Sequence, residues 1–135
     1  MALFIGYLIY QDYTLGGHEW KQGDWLINNM NGAVRRGIMG SAILWFSGVT
    51  SLDPILVITT LQGLLFGLCI ILLSCAIERS NCRHTLWLLV LSPAFFVNFW
   101  AVDPDGALRK ELIIYLAFSV LLFATTREIV SKTLA

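Results

Sequence analysis

Two pairs of adjacent basic residues are the strongest candidates for binding chemistry in this chain. Arg35-Arg36 come just before one apolar segment, and Arg109-Lys110 come just before another. Guanidinium groups suit phosphate and pyrophosphate because they donate parallel hydrogen bonds to neighbouring oxygens. The two pairs therefore predict a site for an anionic group. The alternative is that all four cations only anchor helix ends among lipid phosphates.

Glu19 and Asp24 are the candidate catalytic carboxylates, because either could act as a general acid or base. They lie among Trp20 and Trp25, whose rings are candidates for stacking on a sugar. Asp103 is a further candidate acid, although an aspartate at this position is also typical of a helix N-cap. Each carboxylate also has a plain alternative as a solvated or capping group.

Signatures of metal sites are missing from the sequence. His18-Glu19 does not continue into H-E-x-x-H, because position 22 is Gln. The stretch Asp103-Pro104-Asp105-Gly106 lacks the later ligands of a calcium loop and is typical of a turn. The sequence therefore predicts no metal and no cofactor.

The composition predicts that these residues are held by membrane helices. Hydrophobic residues make up 57% of the 135 residues and charged residues 13%, whereas a soluble domain carries about 25% charged residues. The formal net charge of zero excludes a strongly basic nucleic-acid binder. We predict an all-α integral membrane protein, a helical bundle forming a single domain.

The apolar segments predict three to four spans. They lie at about 1–10 (partial), 54–77, 85–102 and 112–126. Asp53 and Pro54 fit the N-cap and first position of the second span, and Ser92-Pro93 should kink the third. Gln62 is expected to bond a neighbouring helix, and Gly63 and Gly67 form a G-x-x-x-G face that permits close packing.

The run from Gly37 to Ser51 decides the topology. A run of this length either lies at or dips into the membrane interface, or crosses as a short tilted span, and we favour the former. In that case the polar loop 11–36 shares a side with the Asp103–Glu111 turn. The positive-inside rule then places this side outward. If the run crosses the membrane, the two basic pairs lie on opposite faces of the membrane and cannot form one shared site.

Several short motifs resemble one family of membrane proteins. They are His18-Glu19-Trp20-Lys21-Gln22-Gly23-Asp24-Trp25-Leu26-Ile27-Asn28, Val34-Arg35-Arg36-Gly37, Leu52-Asp53-Pro54, Phe99-Trp100 and Leu108-Arg109-Lys110-Glu111-Leu112. The chain resembles the N-terminal part of multi-pass bacterial proteins of surface-polysaccharide assembly, which are O-antigen-polymerase-like or membrane glycosyltransferase-like. Such proteins are longer, so the resemblance suggests that the chain is the front of a larger multi-pass protein. One alternative is then that the chain has no activity as a fragment.

The resemblance implies transfer or polymerisation of sugars from a polyprenyl-pyrophosphate carrier at the bacterial inner membrane. Arg35, Arg36 and Arg109, with Lys110 beside them, would hold the pyrophosphate. The implied partners are a lipid-linked saccharide and membrane lipids. The alternative is a small structural or accessory membrane protein that packs against partner helices without catalysis.

Overall fold

The computed structural model describes residues 2–29, 37–80, 82–92 and 108–133. Within these ranges the chain is all-helical and contains no strand, which confirms the all-α part of the predicted fold class, whereas the membrane bundle of three to four spans stays a prediction. The six helices of the described residues are α1 (Ala2–Thr14), α2 (Lys21–Leu26), α3 (Gly37–Thr50), α4 (Pro54–Glu78), α5 (Arg83–Leu91) and α6 (Leu112–Thr133).

Helix α4 is the central element of the bundle. It starts as predicted, because a carboxylate oxygen of Asp53 accepts a hydrogen bond of 2.8 Å from the backbone N–H of Ile55, and Pro54 occupies the first turn. Its 25 residues correspond to about 37 Å of helix. Among the described residues it is the one helix that is long and apolar enough to cross a membrane.

Helix α6 lies beside α4 and runs in the same direction. Cys69 Sγ of α4 lies 3.1 Å from Ser119 Oγ of α6. Just past the end of α4, the guanidinium of Arg79 lies 4.5 Å from the ring centroid of Phe123, further along α6. Both pairs advance together along the chain, so the two helices are parallel.

Helix α1 runs against α4 in the opposite direction. Ile9 packs beside Gly63, whereas Gly17, which follows α1, packs beside Ile55 near the start of α4. Gly16 and Gly17 have φ values of +82° and +98°, a conformation that glycine adopts at little cost and that ends α1. The polar loop therefore begins at the end of the bundle where α4 starts.

Helix α3 connects the segment after α2 to the turn before α4. Its first turns pack on the segment after α2, where a Cβ at Gly40 would overlap the Ile27 carbonyl and one at Gly37 would overlap Asn29. Its last residue, Thr50, is followed at once by the turn into α4. The predicted interfacial position of this helix and its alternative as a short tilted span both stay predictions.

Three predicted boundaries differ from the structure. The polar loop 11–36 contains the last turn of α1 and the short helix α2. The predicted span 85–102 does not continue through Ser92, which is extended because the following proline disfavours the helical conformation; residues 93–102 lie outside the described part. Helix α6 extends beyond the predicted end at Thr126 to Thr133.

Candidate functional site

The turn before α6 is held against α2 and α4 by one backbone carbonyl. Leu108 O accepts a hydrogen bond of 2.9 Å from Trp25 Nε1 and one of 2.7 Å from Gln62 Nε2. Leu108 is fully buried and has a φ of +59°, which is uncommon for a residue other than glycine. The two donors thus hold in place a backbone conformation that leucine rarely adopts.

Two further contacts connect the residues after Leu108 to the polar loop. The backbone N–H of Lys110 donates to Asp24 Oδ2 at 3.4 Å. The guanidinium carbon of Arg109 lies 6.0 Å from the ring centroid of Trp20, at the outer limit of a cation–π contact. The structure therefore brings together Arg109, Lys110, Trp20 and Asp24, as the shared-side hypothesis requires.

A buried ion pair stands behind these residues. Lys21 Nζ lies 2.8 Å and 2.7 Å from the two carboxylate oxygens of Asp12, and both side chains are less than a tenth exposed. Gln22 Nε2 donates hydrogen bonds to Asp12 Oδ2 at 3.3 Å and to Gln62 Oε1 at 3.1 Å. The side-chain oxygen of Gln22, Oε1, accepts a hydrogen bond from the backbone N–H of His18. This network joins α1, α2 and α4.

The sequence analysis found one member of this network and missed three. Gln62 was expected to bond a neighbouring helix, and its side chain does so through Gln22. Asp12, Lys21 and Gln22 were not singled out, because they stand in a polar segment where solvated side chains are the ordinary expectation. The signal in the sequence that could have predicted this network was Gln62, because a buried amide side chain needs polar partners from other segments.

The predicted anion-binding residues are described only in part. Arg109 and Lys110 are half-buried, and Arg109 lies beside Trp20. Arg35, Arg36 and Asp103 lie outside the described residues. Arg109 Nε and one oxygen of Glu111 are buried, and neither has a hydrogen-bond partner in the part of the chain that the structure describes. The turn thus carries hydrogen-bonding capacity that its own contacts leave unused.

The two predicted stacking residues have different environments. Trp20 is 63% exposed and offers a ring face beside Arg109. Trp25 is fully buried in the hydrophobic core together with Ile58 and Leu112, so the structure corrects its predicted role from sugar stacking to packing. The physical reason is that its N–H reaches the Leu108 carbonyl only if the ring lies inside the bundle.

The two predicted catalytic carboxylates also differ. Asp24 is 8% exposed and caps the backbone of Lys110, a contact that positions the turn. Glu19 is exposed and lines a cleft of about 210 Å³ together with His18, Gln22 and Gly23. Of the two, Glu19 is the carboxylate that an external molecule can reach, and a catalytic role for either residue stays a prediction.

A metal site is not assembled by the described residues, among which no three His, Cys, Asp or Glu side chains lie together. Comparison of the chain with protein-family models, with curated proteins and with solved structures found no match. Fold and site together define an all-helical protein in which a polar loop and a basic turn meet beside one long apolar helix.

Proposed function

We propose that this chain is an integral protein of the bacterial inner membrane that binds the phosphate-bearing head group of a lipid-linked saccharide. The observation that carries the proposal is the position of Arg109, whose guanidinium lies over the exposed ring of Trp20 and whose buried Nε has no partner among the described residues. A guanidinium and an aromatic ring side by side match a phosphate next to a sugar.

The membrane placement is supported by the surface of α4. Only 28% of its most apolar stretch is buried inside the structure, and its residues Leu64, Leu68 and Ile71 are exposed. An exposed apolar surface of this kind suits a bilayer better than water. The start of α4 and the turn at Leu108 then lie near one face of the membrane, where a lipid head group would reach them.

The proposed activity is the one that the sequence resemblance implies. A polyprenyl-pyrophosphate carrier would present its pyrophosphate to Arg109 and Lys110, with Arg35 and Arg36 as the second basic pair. Sugar transfer or polymerisation would use an accessible carboxylate, which favours Glu19 over the capping residue Asp24. Binding is the part of this proposal that the described contacts support most directly.

The experiment that tests it measures binding of a short polyprenyl pyrophosphate to the protein in phosphatidylcholine nanodiscs. Arg109→Gln should weaken binding by about tenfold or more, because a hydrogen bond to a charged group contributes about 1.5–3 kcal/mol. The matched control is Arg83→Gln, which removes an exposed cation at the start of α5 and should leave binding unchanged. Equal affinities of Arg109→Gln and the unmodified protein would rule out the site.

A second candidate function is that of an accessory membrane protein that packs against partner helices. It is favoured by the open side of α4, where Leu64 and Ile71 are largely exposed and a Cβ at Gly67 would meet nothing within 4 Å. Co-purification in mild detergent tests this role. A partner that is retained by the unmodified protein and lost from a Gly67→Leu variant would support it, and purification as a lone chain would count against it.

A further inference from the structure

Gln62 stands in the apolar helix α4, and its side chain reaches the turn that carries Arg109. The side chain is fully buried, and Nε2 donates a hydrogen bond of 2.7 Å to the Leu108 carbonyl. Its side-chain oxygen accepts a hydrogen bond of 3.1 Å from Gln22 Nε2. Both polar atoms of the amide are therefore held, and its donor is directed at the backbone next to Arg109.

The Leu108 carbonyl belongs to the peptide unit that leads into Arg109. The carbonyl group of one residue lies in one plane with the N–H and Cα of the next, because rotation about the peptide bond is restricted. A carbonyl oxygen has two lone pairs, and here Trp25 Nε1 and Gln62 Nε2 both donate to it. Two donors on different helices fix the orientation of this plane, and with it the direction in which the chain enters Arg109.

The backbone conformation at Leu108 depends on this support. Its φ of +59° lies in the left-handed region, which residues other than glycine rarely adopt. If Gln62 loses its donor, the bond from Trp25 remains, and the peptide plane can rotate about it. On the other side, the Arg109 carbonyl accepts a hydrogen bond of 2.9 Å from the backbone N–H of Leu112. The Arg109 backbone lies between these two anchors and moves when either is lost.

We propose that Gln62 is a positioning residue of the anion site and acts on the bound phosphate through Arg109. The Arg109 guanidinium lies 6.0 Å from the ring centroid of Trp20, and this placement depends on the position of the Arg109 backbone. Gln62 is fully buried, so it affects the ligand only through the turn. The inference rests on the proposed function, because it takes Arg109 as the residue that binds the phosphate.

The test measures binding of a short polyprenyl pyrophosphate by isothermal titration calorimetry in phosphatidylcholine nanodiscs. Gln62→Met keeps the length of the side chain and removes its donor. It should raise the Kd about fivefold, within the range that one hydrogen bond contributes to an equilibrium, and leave the stoichiometry unchanged. A purely structural role would lower the stoichiometry, because unfolded chains do not bind, and leave the Kd of the folded protein unchanged.

The matched control is Leu73→Ala, at a buried position further along α4. This variant loses stability through a cavity without touching the turn, and its Kd should equal that of the unmodified protein. A raised Kd in Leu73→Ala equal to that of Gln62→Met would show that binding follows stability, which would overturn the inference. Helix content by circular dichroism identifies a variant that has not folded.

A double-variant cycle shows whether Gln62 acts through Arg109. Once Arg109→Gln has removed the guanidinium, Gln62→Met should raise the Kd no further, whereas two independent contributions would multiply. Trp25→Phe removes the other donor to the Leu108 carbonyl, should also raise the Kd, and carries the test if Gln62→Met does not fold.

The outcomes separate this inference from the proposed function. An unchanged Kd in the folded donor variant, or effects that multiply in the double variant, would overturn the inference and leave the proposed function standing if Arg109→Gln still weakens binding. An unchanged Kd in Arg109→Gln would overturn both.

Discussion

The two sides of α4 differ in what they contact, although both are apolar. One side is buried, and its residues Ile58, Gln62 and Phe66 pack inside the bundle. The opposite side is open, with Leu64 68% and Ile71 61% exposed. Hydrophobicity alone does not distinguish the two sides, since both carry large aliphatic residues.

The strongly polar residue of α4, Gln62, marks the side that packs in the protein, whereas Thr60 is exposed on the other side. Gln62 and Thr59 are buried there, and the Gln62 amide finds partners in Gln22 and the Leu108 carbonyl. A polar side chain facing hydrocarbon would lack partners, so it turns toward the other helices. The comparison teaches that a helix apolar on all sides is oriented by its few polar groups.

The largest expected effect comes from breaking the buried ion pair behind this side. Asp12→Ala leaves the Lys21 ammonium buried without its partner, which should lower the free energy of unfolding by about 3–5 kcal/mol. Denaturation in detergent followed by circular dichroism measures it. The control is the double variant Asp12→Leu with Lys21→Met, which removes both charges and should regain most of the stability. A single variant as stable as the unmodified protein would show that the pair does not support the bundle.

A smaller loss of stability is expected when a packed glycine of α3 is replaced, and the matched replacement is at an open glycine of the same helix. Gly40→Ala places a methyl group against the Ile27 carbonyl and should destabilise the protein by about 1–3 kcal/mol through overpacking. Gly48 has nothing within 4 Å of a Cβ, so Gly48→Ala should be neutral or stabilising by up to about 1 kcal/mol. Thermal unfolding of the two variants compares them directly, and equal midpoints would contradict the contact between α2 and α3.

The smallest expected change in stability comes from single replacements on the two sides of α4. Gln62→Leu removes the hydrogen bonds to Gln22 and to Leu108 O and should cost about 1–2 kcal/mol, because both partners keep another bond. Leu64→Ala on the open side should change stability by less than about 0.5 kcal/mol. Chemical denaturation resolves this difference. A larger loss in Leu64→Ala than in Gln62→Leu would reverse the assignment of the two sides.

Local features of the fold could be predicted from the sequence. Asp53 and Pro54 start α4 where their side chains predict a helix start, and the run that begins at Gly37 forms a helix ending one residue before the predicted limit at Ser51. Helix α2 was missed, because Gly23 and the surrounding polar residues are typical of a turn. This six-residue helix is stabilised by its contacts with the rest of the protein, since isolated helices so short are marginal in water.

The candidate site could be predicted only in outline. Arg109 and Lys110 could be named from residue type, and their proximity to the loop could be stated as a condition on the topology. The buried position of Trp25 could not, because its partner Leu108 is 83 residues further along the chain. Periodicity and residue type carry no information about contacts at that separation.

The sequence by itself determined that the chain is helical, where α4 begins and which residues are chemically able to bind an anion. These properties depend on side-chain chemistry and on hydrogen bonds between residues a few positions apart. The tertiary structure alone decided that the first turns of α3 pack on the segment after α2, that Asp12 and Lys21 pair inside the bundle, and that Arg109 lies over Trp20. Such pairings depend on how whole helices pack, and many packings satisfy the same local pattern.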